Sequence, residues 1–214
     1  MKKILSLALC LSVLFGCSSQ KKTESNIKAE NGDVVKLNYV GKLDGTAFQG
    51  GTAQGAILEL GSGTYIDGFE EQVAGMSLGS SKTIEVTFPE NYGSTDLAGK
   101  DVTFDIDLVS VYREETSSAC QKGDIVKIDY VGKKDGELFS GGSENGRLLE
   151  PGSDTFELGY YTFVDGFKEQ VIGMKARESK TIEVTIPQNY GVADLAGKAV
   201  TFDVAVNHIY RVVK

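Results

Sequence analysis

The sequence predicts an α+β fold of two tandem domains, each an antiparallel β-sheet curled around one short α-helix. The main observation is an internal repeat: GDVVKLNYVGKLDG at 32–45 returns as GDIVKIDYVGKKDG at 123–136. The segment 81–108 likewise returns at 179–206. The other observation is that each repeat combines alternating apolar and polar segments with a single helical pattern. A unit of over eighty residues is too long for a solenoid repeat and suits a small domain.

The strands of each repeat are predicted from period-two alternation, which is typical of antiparallel strands with one solvated face. The inward-facing residues of the first repeat are Val35, Leu37 and Tyr39, then Ile84, Val86 and Phe88, then Val102, Phe104, Ile106 and Leu108. Asp44–Gly45 and Asp135–Gly136 are two-residue turn signals. The offset between repeats grows from 91 to 98 residues, so the second repeat has seven extra residues, which we place in 143–154.

One short helix is predicted in each repeat, from YIDGFEEQVAGM at 65–76 and FVDGFKEQVIGM at 163–174. Asp67 is expected to cap the first helix, and Glu70 to close a capping box. The second repeat has Lys168 where the first has that glutamate. The apolar face of the first helix consists of Phe69, Val73 and Met76. A helix this short must bury its apolar face against the sheet.

The N-terminus resembles a bacterial lipoprotein signal, with Lys2–Lys3, an apolar run too short to span a bilayer, and Leu14–Cys17 as a lipobox. This resemblance implies lipidation of Cys17 and a membrane-anchored protein in the bacterial cell envelope, facing the periplasm or the exterior. The alternative is an ordinary cleaved signal that leaves Cys17 as a thiol. The predicted organisation is a signal peptide over 1–16, a flexible tether over 17–31, domain 1 over 32–113, a linker over 114–121 and domain 2 over 122–214.

The composition excludes several function classes. The chain has 22 Lys+Arg against 30 Asp+Glu and no basic cluster on a folded part, which argues against a nucleic-acid partner. A single histidine, His208, and no paired cysteines exclude a credible metal site. Cys120 is interpreted as a linker residue, because no base lies near it in the sequence. The carboxylates that both repeats share are interpreted as surface and turn residues: Glu85, Glu183, Asp96 and Asp194.

The ordered pattern GDxVKxxYVGKxDG, DGFxEQVxGM, SKTIEVTxPxNYG and LAGKxVTFDV resembles the FKBP-type peptidyl-prolyl cis–trans isomerases. Within them, NYGSTDLAGK is most similar to the FKBP domain of trigger factor. The resemblance covers 32–113 and 122–214, and it has no counterpart to the ribosome-docking and arm regions of trigger factor.

In that family the site is an apolar pocket between the helix and the concave face of the sheet. The catalytic residues that the resemblance implies in domain 1 are Tyr39, Phe48, Ile66, Phe69, Tyr92 and Phe104, with Leu58 and Tyr65 binding substrate. Those in domain 2 are Tyr130, Phe139, Val164, Phe167, Tyr190 and Phe202, with Phe156 and Phe163 binding substrate. The backbone N–H of Ile66 or Val164 is expected to anchor the carbonyl of the bound peptide.

The implied reaction needs no cofactor or metal. Rotation about an X–Pro bond crosses a barrier of about 20 kcal/mol. The twisted amide is less polarised than the planar one, so a dry aromatic pocket favours it. The expected partners are proline-containing segments of unfolded or exported proteins, and the oligomeric state stays open.

Three functions are compatible with the sequence. The first is a prolyl isomerase for exported proteins, and the second is a low-turnover chaperone that holds clients in the same pockets. The third is a surface lipoprotein that binds a partner. Many family members have Asp after the pocket phenylalanine and Trp at the floor, whereas this chain has Gln49, Ser140 and no Trp. We expect domain 1 to be the more active domain, because the extra residues of domain 2 lie beside its pocket.

Overall fold

The described chain, residues 26–152 and 164–214 of the computed structural model, has the same order of elements twice. Domain 1 consists of β1 (Val34–Leu43), β2 (Thr46–Glu59), α1 (Phe69–Val73), β3 (Ser81–Thr87) and β4 (Asp101–Glu114). Domain 2 consists of β5 (Ile125–Lys134), β6 (Glu137–Leu149), α2 (Phe167–Val171), β7 (Ser179–Thr185) and β8 (Ala199–Val212). This is the predicted tandem α+β fold. None of the helices in these two ranges is long and apolar enough to cross a membrane.

The strands form one antiparallel sheet in the order β2-β1-β4-β8-β5-β6. β3 pairs with the N-terminal half of β4, and β7 pairs with β8 in the same way. The two halves of the sheet join where Tyr112, Arg113 and Glu114 of β4 pair with Val212, Arg211 and Tyr210 of β8.

Both predicted hairpin turns are present. Asp44 and Gly45 have φ of 49° and 78°, and Asp135 and Gly136 have 51° and 85°. Two consecutive left-handed residues give a turn whose twist matches that of the flanking strands, which explains the Asp-Gly pair. The turns set the register of β1 on β2 and of β5 on β6.

The core of each domain lies between its helix and the concave face of its sheet. Phe69 and Val73 are 1% and 0% exposed in α1, and Phe167 and Val171 are both 0% exposed in α2. They pack on the alternating apolar residues of the strands, as the sequence pattern predicts. Burial of these faces stabilises helices of five residues, which are too short to be stable alone.

The predicted capping box of the first helix is wrong. α1 begins after Gly68, whose φ of 85° is left-handed, and no side chain caps the helix. Gly166 has the same role before α2, with φ of 86°. This conformation favours glycine, and it turns the chain into the helix without a capping aspartate. The carboxylate of Glu70 points back to the loop that precedes α1 instead.

The predicted tether over 17–31 extends too far into domain 1. Ala29 is 1% exposed and belongs to the core cluster, with Ile27 packed against it. The backbone N–H of Ala29 donates to Met76 at 3.0 Å, and its carbonyl accepts from Gly75 at 2.8 Å. These backbone bonds hold the residues before β1 against the end of α1.

Cys120 is a core residue of domain 2, so its interpretation as a linker residue is wrong. It is 2% exposed and bonds to Met174 and Gly173 as Ala29 bonds to Met76 and Gly75. The sequence pattern did not indicate that Cys120 is buried, because the residues around it are polar. The repeat contained the signal, because Cys120 lies 91 residues after Ala29.

The two domains dock through equivalent residues. Val34, Tyr112, Ile125 and Tyr210 form a buried cluster between them. Val34 and Ile125 are equivalent positions of the two repeats, as are the two tyrosines. The interface is therefore close to two-fold symmetric within one chain.

Ion pairs with the same symmetry lie beside this cluster. Lys36 Nζ lies 2.7 Å from Glu150 Oε2, and Lys127 Nζ lies 2.6 Å from Glu59 Oε2. The hydroxyl of Tyr210 also donates to Glu59 at 3.1 Å. Because an isolated domain would expose the cluster and break these pairs, the site is best tested in a chain that contains both domains.

Candidate active site

An inner cluster of aromatic rings lies between α1 and the concave face of domain 1. The ring of Tyr39 lies edge-on to Phe69 and Phe104, with centroids 5.8 and 5.7 Å apart. Phe69 and Phe104 are 5.3 Å apart. Tyr65 lies 4.7 Å from Phe69, from the side of the loop. β1, β4, α1 and the loop before α1 thus bring four predicted site residues together.

Phe48 joins this cluster because two glycines leave space for its ring. Its centroid lies 5.9 Å from that of Phe104. A Cβ atom at Gly41 would lie 2.6 Å from Cζ of Phe48, and one at Gly51 would lie against the same ring at under 3.0 Å. Any larger residue at either position would displace the phenylalanine. The sequence prediction missed these glycines, although YVGK and a following GG occur in both repeats.

Tyr92 lies at the outer end of a chain of rings. Phe88, which is 4% exposed, lies 6.0 Å from Phe48 and 4.4 Å from Tyr92. Tyr92 itself is 41% exposed. It is a rim residue rather than part of the inner wall, and Phe88 is the connecting residue that the site prediction omitted.

Leu58 and Ile66 complete the predicted set in domain 1. Leu58 is fully buried in the core, opposite Val35. Ile66 packs partly against the core, and its carbonyl accepts from the N–H of Phe69 at 3.1 Å. Within residues 26–152 and 164–214, no hydrogen bond uses the N–H of Ile66. That N–H is therefore available to a peptide carbonyl.

The phenol of Tyr65 is held neutral by its surroundings. Burial raises the pKa of Tyr65 well above its ordinary value, and the neighbouring Tyr39 and Glu70 add to the shift. A phenol with a raised pKa is a hydrogen-bond donor at neutral pH and not a base. Tyr65 thus offers a hydrogen-bond donor beside the rings and does not serve as a base at neutral pH.

Domain 2 has the same inner cluster. Tyr130 lies 5.8 Å from both Phe167 and Phe202, which are 5.2 Å apart. Phe139 lies 5.9 Å from Phe202. Val164 packs partly buried against the core. These distances agree with those of domain 1 to within 0.1 Å.

The outer part of the domain 2 site differs from that of domain 1. Ile186 replaces Phe88, and Tyr190 is 42% exposed at the rim. Phe156 and Phe163, the predicted substrate-binding residues, lie outside the described residues. Leu149 is 0% exposed and pairs with Val126 as Leu58 pairs with Val35. Leu149 thus has the core position of Leu58 in the described part of the chain.

A carboxylate forms a hydrogen bond with the pocket tyrosine of domain 2. Tyr130 donates to Glu144 Oε2 at 3.1 Å, and Arg147 lies 3.7 Å from the other oxygen of Glu144. Glu144 is opposite Tyr130 in the β5–β6 register, where domain 1 has Ala53 opposite Tyr39. The sequence prediction missed Glu144, because bulges in the hairpin determine which residue faces the tyrosine.

A second carboxylate supports the loop of domain 1. Glu70, 5% exposed, accepts hydrogen bonds from the backbone N–H groups of Gly61, Gly63, Thr64 and Tyr65 at 2.8 to 3.1 Å. The hydroxyl of Ser62 donates to it at 3.2 Å. Burial alone would raise the pKa of Glu70, but these bonds lower it below the ordinary value.

In the described part of the chain, the other titratable residues that the sequence singled out lie outside the ring clusters. His208 lies at the surface, where Nδ1 is 2.7 Å from Glu114 Oε1. The shared carboxylates Glu85, Glu183, Asp96 and Asp194 are all exposed. Burial, followed by the charge of Asp124, raises the pKa of the Cys120 thiol to about 11, which leaves it unreactive.

Comparison with known proteins identifies relatives that match a stretch about as long as one domain. The trigger factor of Rhizobium johnstonii is 56% identical over 84 residues, which is 39% of this chain and 17% of that protein. The trigger factor of Halothermothrix orenii is 48% identical over 98 residues, which is 46% of this chain and 23% of that protein. The match thus spans about a fifth of the length of these relatives.

A crystal structure of the three FKBP domains of wheat FKBP73 aligns with 89% of this chain and 92% of that one, with a TM-score of 0.37 and 16% identity. The family model of FKBP-type peptidyl-prolyl cis–trans isomerases matches residues 25–109 and 116–207. The two matched ranges include both helices, all or most of each of the eight strands, and both ring clusters described above. This chain therefore belongs to the FKBP-type peptidyl-prolyl cis–trans isomerase family.

Proposed function

We propose that this protein is a peptidyl-prolyl cis–trans isomerase that assists the folding of exported proteins through its two aromatic pockets. The observation that carries the proposal is the inner cluster of three rings, Tyr39, Phe69 and Phe104, which recurs in domain 2 with the same spacing. Two independent copies of one apolar cluster, each under the chain that enters the helix, indicate two equivalent sites for a small apolar group.

The proposed mechanism is preferential binding of the twisted amide. The proline ring packs on the partly buried rings above the floor phenylalanine, such as Phe48 in domain 1 and Phe139 in domain 2, and these rings exclude water from the X–Pro bond. The planar amide loses more solvation there than the less polarised twisted amide does, so the barrier falls. The N–H of Ile66 holds the peptide carbonyl and fixes the substrate while its amide rotates. No proton transfer is needed, which suits a site with a neutral Tyr65.

The test is the exchange rate between cis and trans forms of a short X–Pro peptide, measured by NMR with a protein of residues 18–214. Tyr39→Leu and Tyr130→Leu keep apolar volume but remove one ring from each cluster. Each single variant is expected to lose the part of the rate acceleration that its own domain contributes. The double variant is expected to lose nearly all of the acceleration. Val109→Ala, at a side chain that is 45% exposed on β4, is the control. A folded wild-type protein that leaves the exchange rate unchanged would refute the proposal.

A second candidate function is the holding of unfolded clients by domain 2. Leu138, Val192 and Tyr190 are 68%, 49% and 42% exposed, and they belong to the segments that carry the pocket rings. In an aggregation assay with an unfolded protein, Leu138→Ser with Val192→Ser should weaken protection while prolyl exchange is kept. Equal protection by this variant would argue against client holding on these residues.

The lipid anchor is a further part of the proposal, supported by the Leu14–Cys17 pattern alone. Intact-mass measurement of the protein from a bacterial membrane fraction tests it. The expected mass includes a diacylglyceryl group on Cys17, absent from a Cys17→Ser variant. An unmodified Cys17 in the mature protein would contradict the anchor.

A further inference from the structure

The loop of Gly61–Tyr65 is organised around one carboxylate. Four of its five backbone N–H groups converge on the two oxygens of Glu70. The Ser62 hydroxyl also donates to Oε1 at 3.2 Å, and the Thr64 hydroxyl lies 3.5 Å from the same oxygen. A side chain that gathers this many donors and is 5% exposed holds the loop in one conformation. A carboxylate is the side chain suited to this position, because it accepts at both ends and donates at neither.

The loop held in this way leads directly into the residues that the proposed mechanism assigns to substrate binding, Tyr65 and Ile66. Tyr65 places its ring 4.7 Å from Phe69, and the next residue is Ile66. Glu70 itself follows Phe69 in α1, so the floor of the pocket and the anchor for the loop are adjacent residues of one helix. The position of the Ile66 N–H relative to the floor therefore depends on the Glu70 carboxylate.

The second domain offers a natural comparison at this position. Lys168 replaces Glu70, after the equivalent phenylalanine. A lysine ammonium group only donates, so it cannot accept backbone N–H bonds. The two domains thus have the same inner rings, but domain 2 has a cationic side chain where domain 1 has the carboxylate that supports its loop.

We propose that Glu70 is a positioning residue of the domain 1 site, which holds the Ile66 N–H and the Tyr65 ring in place for the peptide carbonyl. This inference rests on the proposed isomerase function. Glu70 does not touch the substrate. It raises the fraction of molecules whose loop is competent to bind. The apparent dissociation constant falls in inverse proportion to that fraction.

The experiment compares Glu70→Gln and Glu70→Lys with Glu71→Gln in the protein of residues 18–214. Glu71 is the matched control, because it is an exposed carboxylate on the same helix. Binding of an X–Pro peptide is followed by the amide resonances of each domain, so domain 2 is an internal reference. Glu70→Gln is expected to weaken peptide binding at domain 1 by about tenfold through loss of loop order. Glu70→Lys should weaken it at least as much, and Glu71→Gln should not change it.

Two readouts separate positioning from mere stability. Amide hydrogen exchange of 61–66 should become faster in Glu70→Gln while the β4 amides stay protected. In steady-state assays KM should rise with kcat nearly kept, because an anchor used equally in ground and transition states affects binding alone. A smaller folded fraction would instead lower the apparent kcat at constant KM.

The proposal is overturned if the loop amides of Glu70→Gln exchange as in wild type, or if they exchange faster and peptide binding at domain 1 is unchanged. If a Glu70 variant does not fold, peptide binding to the wild-type protein is measured from pH 7 into acid instead. Protonation of Glu70 should then weaken binding at domain 1 at a higher pH than at domain 2, and equal loss at both domains would overturn the proposal. Failure of the isomerase proposal is visible separately. Wild type would then not accelerate exchange, while peptide binding and loop protection would still report on Glu70.

Discussion

The two domains agree at the centre of the pocket and differ around it. The inner rings have the same spacing in both, yet Glu70, Ala53 and Phe88 of domain 1 correspond to Lys168, Glu144 and Ile186 of domain 2. Under the proposed mechanism, the common part is the aromatic cluster that favours the twisted amide. The residues that differ would change the charge beside the cluster and, in domain 1, the support of the loop before α1. The comparison of the two domains therefore separates the proposed chemistry from the recognition of the peptide.

The largest expected effect is a loss of stability, which tests whether the inner ring clusters of the two domains contribute equally to the free energy of unfolding. Phe69→Ala and Phe167→Ala each remove a ring that is at most 1% exposed. Each is expected to lower the free energy of unfolding by about 3–5 kcal/mol, from lost burial and the remaining cavity. Urea denaturation of the full two-domain protein measures this. Costs that differ by more than about 2 kcal/mol would show that the cores are not equivalent despite their geometry.

The next effect is a dependence on pH that belongs to domain 1. The folded state lowers the pKa of Glu70 below 4.5, so its stabilisation is complete above pH 4.5 and disappears as the pH falls through the folded-state pKa. The difference in unfolding free energy between wild type and Glu70→Gln should shrink over this acid range. Val109→Ala is the control and should give a flat difference, because it changes an exposed apolar side chain and no titratable group. A constant difference for Glu70→Gln would contradict the proposed hydrogen-bonded carboxylate.

Some of these similarities and differences between the domains could be predicted from the sequence and others could not, depending on the kind of interaction. The pocket rings could be predicted, because alternation and the repeated DGF segments place Tyr39, Phe69 and Phe104 on the buried face. The role of Glu70 could not, since its spacing from Asp67 matches a capping box and only the left-handed Gly68 rules that out. Spacing within a sequence reports which residues lie on one helix face. It does not report where a loop brings its backbone donors.

The register of the hairpins limited the prediction in a similar way. Glu144 meets Tyr130 because β6 shifts register twice against β5, which no counting of residues reveals. Ala29 and Cys120 were missed for another reason. They lie in polar segments, and their burial follows from pairing with the chain after each helix.

A smaller effect concerns the charge at the second pocket. Glu144 places a carboxylate beside Tyr130, whereas Ala53 gives domain 1 none. Domain 2 should therefore prefer a peptide with Lys beside proline over one with Glu, by at most about threefold, because Arg147 lies 3.7 Å from the same carboxylate and offsets part of its charge. Glu144→Ala should remove the preference, and Ala53→Glu should create it in domain 1. The preference is measured from amide chemical shifts during peptide titrations at low and at high salt. Because salt screens exposed charges, a preference that does not change with salt would show that the Glu144 charge is not its cause.

The smallest effect concerns the equivalent pair Ala29 and Cys120. Both are buried, at 1% and 2% exposure, and both bond to the chain after a helix. Cys120→Ala should lower the free energy of unfolding by no more than about 1 kcal/mol, because it deletes one sulfur atom from a site that holds alanine in the other domain. Ala29→Cys should cost about the same, through overpacking.

Reactivity of the same thiol tests its burial directly. With a pKa of about 11 and little exposure, Cys120 should resist iodoacetamide at neutral pH until domain 2 unfolds. The cysteine of an Ala29→Cys variant should behave alike, so each thiol reports the opening of its own domain. Labelling of Cys120 in the native protein at the rate of a free peptide thiol would show that the segment before β5 opens independently. Domain 2 would then differ from domain 1 in how firmly its first residues are held, as well as in its pocket.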